Sequence, residues 1–445
     1  MSFSATNPTV PGENYVSSVV DSFPRHNRYV KVEASIENRY YRNFLPVNGQ
    51  GVSSQINDMY TEFILTPSAN SFFDLNTLFF EAKLEIEKKL MEHLLKILTR
   101  SQWWMEQDFY YLRNRVFFLN STPVENNTHF GIYNLVKSYT HMKTEDVRTF
   151  GYGSLVKSID TKINETFTAT TDVSIDEYER MIRVRCRRGV HLMVPITIDL
   201  ASSNQFLMNG VEIRLRFDLA HPRKIITSST ANADYKYLLK NVRLHVEKVT
   251  PFPSALSSFN KSLLASNSGV PYLHERVVGK TFIFSTGHSM YTIENPFSSH
   301  LPSMIYMFMI KQSSFNGVHN ENMAYLNHCN LQSIFCEVNG NTVSELKTEF
   351  PNYAVNAFYH TLNNLQSSSI LLTGNNFADG RTIHVFSLEP VTSAETVSVE
   401  KVGNLRFSIN LNTALTSNYI IFVLGIFNGC VSIDSLRRVK TNFLI

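Results

Sequence analysis

The sequence predicts an all-β chain that builds one kind of sandwich twice, and three observations lead there. Aromatic residues make up 12% of the 445 residues, with 32 Phe and 20 Tyr, while charged residues reach only 18%. That balance favours sheet and large buried contacts. Near the end of the chain, Tyr419 to Phe427, "YIIFVLGIF", carries no charge and only Gly425 interrupts its bulk. A bilayer-spanning helix takes about 20 apolar residues, so this shorter run predicts a strand buried on both faces, followed by a turn at Asn428-Gly429. Finally, five landmarks occur in the same order in each half of the chain.

The first landmark is a strand pair, "FFDLNTLFFEAKLEIE" from Phe72 in one half and "FIFSTGHSMYTI" from Phe282 with "SMIYMFMI" from Ser303 in the other. A strand with a turn follows, "LNSTPV" from Leu119 and "VNGNTV" from Val338. Asn339-Gly340 is a strong hairpin signal, because both central residues of such a turn take positive φ. Asn120-Ser121 is a weaker version. Next comes a helix in each half, "NTHFGIYNLVKSYTHM" from Asn127 and "FPNYAVNAFYHTLNNL" from Phe350. Pro351 suits a first helical turn, and Ala354, Phe358, Leu362 and Leu365 share a face that would lie on a sheet.

Three strands complete each half: "LMVPITIDL" from Leu192, "VEIRLRFDL" from Val211 and "YKYLLKNVRLHVEKV" from Tyr235, against "RTIHVFSLEP" from Arg381, "NLRFSINL" from Asn404 and the apolar run. Ile213, Leu215, Phe217 and Leu219 alternate with Arg214, Arg216 and Asp218, as Leu405, Phe407, Ile409 and Leu411 do with Arg406, Ser408 and Asn410. Period 2 puts one face in a core and the other outside. The turn motifs lie 219 residues apart. The "LRF" strands lie about 190 apart, so the first half carries roughly 30 extra residues, placed within Val147 to Ile182 as a polar, Thr-rich exposed loop.

Two units of about eight strands and one helix describe two tandem eight-stranded jelly-roll β-sandwiches, a double jelly roll with short helices in its loops. The expected organisation is an N-terminal arm over 1–55, a first jelly roll over 56–255 and a second over 256–445. Their connection falls in the Pro- and Ser-rich stretch Thr250 to Glu275. In the arm, Arg25, Arg28, Lys31, Arg39 and Arg42 interleave with Asp21, Glu33 and Glu37, so it is not polybasic. Its poor periodicity suits a segment that orders on assembly.

Function classes are narrowed by what is missing. A net charge of +3 argues against a surface devoted to nucleic acid. Cys186, Cys329, Cys336 and Cys430 are too scattered for a disulfide framework and are expected as buried thiols. The first residues lack the basic start and apolar core of a secretion signal, so the sequons at Asn120, Asn126, Asn164 and Asn260 are expected to stay unmodified. No phosphate loop, HExxH, GxSxG or dinucleotide fingerprint is present. Ser154 in "GYGSL" lacks the glycine two residues on, and His328, Cys329 and Cys336 fit no zinc spacing. No cofactor, metal or enzymatic activity is expected.

The ordered set "FIFSTGHS", "VNGNTV", the Tyr353 to Leu365 helix, "GNLRFSINL" and "YIIFVLGIFNGCVSID" followed by "SLRRV" resembles the double jelly-roll major capsid proteins of Polinton (Maverick) elements, adintoviruses and virophages. So do the first-half segments "YTEFILTPSANSFFDL", "VFFLNSTPV", "FLMNGVEIRLRF" and "LLKNVRLHVEKVTPFPSAL". In that family the last strand runs into an Ile-Asp-Arg tail, here Ile433, Asp434, Arg437, Arg438 and Val439. The resemblance covers Tyr60 to the C-terminus; Glu87 to Arg115 departs from it by being more helical and charged.

The resemblance implies a major capsid protein whose homotrimers form pseudo-hexagonal capsomers in the icosahedral shell of a double-stranded DNA virus or virus-like transposon. It implies neighbouring capsomers, penton and minor capsid proteins as partners, indirect contact with packaged DNA, and a place in the virion capsid. The densest basic run, "RVRCRRG", sets Arg183, Arg185 and Arg187 on one strand face with Arg188 beside them. It is a candidate contact to DNA or to a neighbouring subunit, with a solvated or intersubunit face the plainer reading. The alternative function is a jelly-roll glycan-binding or glycan-cleaving protein. Cleavage needs two carboxylates about 5 to 9.5 Å apart, whereas acidic residues are sparse in the expected strands and only Trp103 and Trp104 offer Trp platforms.

Overall fold

In the computed structural model the described residues are 36–48, 60–88, 103–104, 112–143, 165–166, 190–225, 227–228, 235–265, 269–348, 350, 354–365, 369, 371–389 and 401–442. The first half contributes β1 (Ile36–Phe44), β2 (Tyr60–Leu65), β3 (Phe72–Lys88), β4 (Trp103–Trp104), β5 (Leu112–Leu119), β6 (Thr122–Asn127), β7 (Val190–Pro195), β8 (Ile213–Leu219), β9 (Thr227–Ser228) and β10 (Tyr235–Pro251). The second contributes β11 (Val270–Phe284), β12 (Met290–Glu294), β13 (His300–Leu301), β14 (Met304–Lys311), β15 (Leu331–Val338), β16 (Asn341–Lys347), β17 (His384–Ser387), β18 (Lys401–Val402), β19 (Leu405–Leu411), β20 (Tyr419–Ile433) and β21 (Val439–Asn442).

Pairing sorts these strands into the same pattern twice. The first half forms sheets β1-β10-β3-β7 and β2-β8-β5-β6. The second forms β11-β20-β14-β17, with β21 added on β20, and β12-β19-β15-β16. Setting aside the two-residue pairs β4-β9 and β13-β18, each half orders its strands first-eighth-third-sixth and second-seventh-fourth-fifth. Their pairings are antiparallel. That is the jelly-roll order, two Greek keys folded into facing sheets.

Period 2 explains which faces meet. β8 and β19 bury every second residue from Ile213 and from Leu405. Across the first sandwich, Phe63 and Phe217 of one sheet meet Phe80 of the other edge-on at 6.2 and 6.4 Å, a favoured aromatic geometry. Across the second, Phe386 of β17 packs on Phe407 of β19 at 5.5 Å. A helix, Phe130–His141 or Val355–Leu365, lies between the fifth and sixth principal strands of each sandwich. No helix among the described residues is long and apolar enough to cross a membrane.

Several expectations are revised. Phe72 onward is one long strand, β3, whereas Phe282 onward ends β11 and enters β12, so the third-strand counterpart of β3 is β14 alone. Asn428-Gly429 does not turn the chain: β20 runs on through both residues, paired with Glu275 and His274 of β11. The glycine there serves close packing, since a Cβ at 429 would lie 3.0 Å from His274 Nε2. Helix Val355–Leu365 buries Ala357, Thr361 and Leu365 most deeply, one step round from the expected stripe. Small residues on that line let the helix approach β17, where the Thr361 hydroxyl donates to Ile383 O at 2.7 Å.

The stretch between the halves is mainly a helix, Pro253–Ala265, and Val270 to Glu275 already belongs to β11. Residues 36–44, placed in the arm by sequence, form β1 and pair with β10. Pro351, Arg183, Arg185, Cys186, Arg187, Arg188 and residues 147–164 and 167–182 lie outside the described residues.

Candidate assembly surfaces

The deepest relation between the halves is at their turns. Asn120 and Ser121 take φ of 46° and 67°, and Asn339 and Gly340 take 53° and 82°, so both hairpins turn through two left-handed residues. In the first half, Asn120 N–H donates to Glu212 O at 3.0 Å and its side-chain oxygen accepts from Glu212 N–H at 2.8 Å. In the second, Asn339 does the same with Asn404 at 2.9 and 2.8 Å. Leu119 faces Ile213 and Val338 faces Leu405. Structural equivalence across these strands is therefore 192 residues, from 405 minus 213, two more than the "LRF" match.

The two sandwiches meet along a seam centred on helix Phe130–His141. Ten of its twelve residues are buried, far more than the single face expected of a helix on a sheet, because the second sandwich covers its other side. Tyr139 donates to Ala324 O at 3.4 Å, and Ser369 Oγ donates to Met142 O at 3.2 Å. His129 packs edge-on against Phe422 at 5.6 Å. Arg381, itself buried and bonded to Leu371 O, lies 5.2 Å from the Tyr139 ring centre.

These contacts explain why the run from Tyr419 to Phe427 is apolar on both sides. In the β11–β20 register Phe422, Leu424 and Ile426 share one face and Ile421, Val423 and Phe427 the other. The Phe422 face turns to the first sandwich. On the opposite face Gly425 leaves room for Phe297, whose ring carbon would sit 2.7 Å from a Cβ there.

A buried charge cluster sits beside the helix. The Arg115 guanidinium bonds to Glu125 and reaches Asp199 Oδ1 at 3.2 Å. It also lies 4.7 Å from the Phe130 ring centre. Glu125 accepts the N–H groups of Asp199 at 3.1 Å and Leu200 at 2.8 Å. Asp199 Oδ2 accepts Val277 N–H from β11 at 3.2 Å, so the cluster ties the first sandwich to the second. Burial first, and then the neighbouring Asp199 charge, push the Glu125 carboxyl up to about 7 against the pull of Arg115.

A second tie comes from the C-terminal tail. Arg437 donates to Asn209 Oδ1 at 2.7 Å while its carbonyl accepts from Asn120 Nδ2 at 2.7 Å. Asp434 holds the bend by accepting Leu436 N–H at 2.9 Å and Arg438 N–H at 2.8 Å.

The outward faces of the two corresponding sheets differ. In the second sandwich that face of β20 and β14 is covered by the first sandwich. In the first sandwich it is open and partly polar. Tyr41 of β1 meets Phe79 of β3 at 5.9 Å, and Phe79 stacks on His245 of β10 at 4.4 Å. His245 meets Glu81 at 2.7 Å and Arg39 meets Glu247 at 3.0 Å, ion pairs between neighbouring strands of the sheet.

Sequence reasoning placed the hairpin residues Asn339 and Gly340 but missed Arg115, Glu125 and Asp199. A signal existed: Arg115 has the parity of Phe117 and Leu119, which puts a charge on an inward face. His328 stacks on Phe350 at 4.8 Å, and Cys336 is buried with its thiol pushed up to about 12 by desolvation. No group of three His, Cys, Asp or Glu among the described residues is placed to hold a metal ion.

No family model and no curated protein matches this sequence. Solved structures do. A chain of the Sputnik virophage structure determined by cryo-electron microscopy matches all of this chain and 93% of its own length, at a TM-score of 0.61 and 11% identity. The mavirus major capsid protein matches all of this chain and 97% of its own, at 0.55 and 10%. The Faustovirus major capsid protein matches 92% of each, at 0.56 and 9%. The chain shares the fold of these viral proteins.

Proposed function

We propose that this chain is a major capsid protein that builds a viral shell by self-association, with a structural and not an enzymatic role. Three copies would place six similar sandwiches around one axis, a pseudo-hexagonal capsomer that tiles a six-neighbour lattice of an icosahedral double-stranded DNA virus or virus-like transposon. The observation that carries this reading is the repetition of one strand order in two sandwiches packed flank to face, in a fold shared with virophage and Faustovirus capsid chains. A closed ring of three needs two different surfaces that complement each other head to tail, and a chain built from two like units is suited to supply them.

In this reading the two sandwiches are units joined by helix Pro253–Ala265, and the residues before β1 form an arm. Arg183, Arg185, Arg187 and Arg188 are the candidate contact to DNA or to an adjoining subunit, and penton and minor capsid proteins are the further partners. Light scattering of the purified chain is expected to give three times 50.9 kDa, with hexagonal arrays or shells in electron micrographs at high concentration. A chain that remains monomeric at every concentration would overturn the proposal.

A further inference from the structure

We propose that His328, His360 and His384 form an acid-sensitive latch: while neutral they hold helix Val355–Leu365 on β17, and their protonation releases the helix while both sandwiches stay folded. The inference concerns a single chain and holds whether or not copies associate. Three elements bring the imidazoles to one place. His384 opens β17 and is 1% exposed, His360 lies on the helix, and His328 leads into the turn before β15. Phe350 and Phe377 lie among them. His328 stacks on the Phe350 ring at 4.8 Å, and His384 stands edge-on to Phe350 at 6.4 Å and to Phe377 at 6.3 Å. Phe358 of the helix meets Phe377 at 5.6 Å, so the same ring cluster seats the helix.

A proton has no place on His384 in the closed arrangement. An imidazolium needs partners for two N–H groups, yet its Nδ1 and Nε2 find none among the described residues. The groups acting on it electrostatically are His360 from the helix and His328, and both oppose a charge there. Its strand neighbour on β14 is Met307, and Arg381, three residues earlier in the chain, binds Leu371 O. Burial first, and then the two other imidazoles, hold His384 down at about 3. Burial also lowers His360, and lowers His328 against the pull of Asp379. Protonation therefore favours the arrangement in which water reaches the rings. What must open for this is small. β17 is a four-residue edge strand. Besides burying Ala357, Thr361 and Leu365, the helix is tied by Thr361 to Ile383 O at 2.7 Å, by Asn364 to Val385 O at 2.8 Å and by His360 Nε2 to Ser344 Oγ at 3.0 Å. An element held by so few contacts opens at a lower cost than the whole fold.

The test is hydrogen exchange on the full chain, corrected for the chemical rate at each pH, in the parent and in His384→Leu and His384→Phe. His384 titrates at its ordinary 6.5 in the open arrangement and at about 3 in the closed one. Lowering the pH from about 7.5 to about 5 therefore raises the open population about 30-fold through this residue alone. Amides of Val355–Leu365 in the parent are expected to lose protection by about that factor or more, beginning below about pH 6.5, while those of β10 keep theirs. Both variants remove two unpartnered nitrogens, so they are expected to fold at about pH 7.5 and to show a fall at least about tenfold smaller. Helix protection that ignores pH, that falls only below about pH 4.5 as carboxylates would dictate, or that falls together with β10 would overturn the latch. So would an undiminished fall in the variants. If neither variant folds, the pH course of the parent decides by itself. A monomeric parent chain would remove the assembly reading and leave this test unaffected.

Discussion

Arg115 shows how a single side chain can hold two sandwiches in register. It is fully buried, with two carboxylates against it, and its Nε and Nη1 find no hydrogen-bond partner among the described residues. Removing it leaves Glu125 and Asp199 facing each other without a cation, so Arg115→Met is expected to cost about 3 to 5 kcal/mol in denaturant unfolding. The pH dependence follows from Glu125. Its folded value lies near 7 against 4.5 in the open chain, so its contribution is fully present below about 4.5 and is lost as pH rises through about 7. Relative to Glu125→Gln, the parent chain should therefore lose up to about 3 kcal/mol between those limits, measured as the difference between two melting series. Comparison with the variant is needed because buried histidines act oppositely. Burial holds His141 down at about 4 and His384 at about 3, so stability from these groups falls as pH drops below about 6.5.

At the scale of elements, the paired hairpins make a reciprocal experiment. Both turns need two left-handed residues, yet the first half uses Ser121 where the second uses Gly340. A side chain pays a steric cost in that conformation that glycine avoids. Ser121→Gly is expected to stabilise the chain by up to about 1 kcal/mol, and Gly340→Ser to destabilise it by about as much, by equilibrium unfolding. Space around Gly340 is open, so the second change isolates backbone strain. β20 offers the opposite case, where packing decides: Gly425→Ala drives a methyl into Phe297 and is expected to cost about 1 to 3 kcal/mol. Strand parity and turn chemistry were legible in the sequence because they are local. The continuation of β20 past Asn428-Gly429 was not, since a turn dipeptide can instead be recruited to admit a neighbouring ring, here that of His274.

For the whole molecule, the buried apolar residues form one continuous cluster through both sandwiches. Unfolding is therefore expected as a single calorimetric transition; two separated transitions would show that the seam contributes little. The asymmetry between the two outward sheets belongs to this scale as well. One is apolar and consumed inside the chain, while its counterpart carries ion pairs and partly exposed aromatic groups, a composition suited to a face in contact with water.

The amino-acid sequence by itself determined that the chain is all-β, that it contains one unit twice, and where most of the principal strands and both helices lie, because periodicity, turn residues and internal repetition are properties of short segments. Only the tertiary structure decided which helix is sealed between sandwiches, which carboxylates share the Arg115 charge, and which sheet face stays open. Those outcomes depend on groups separated by tens to hundreds of residues, such as Asp199 and Val277 or His129 and Phe422, whose proximity no local pattern encodes.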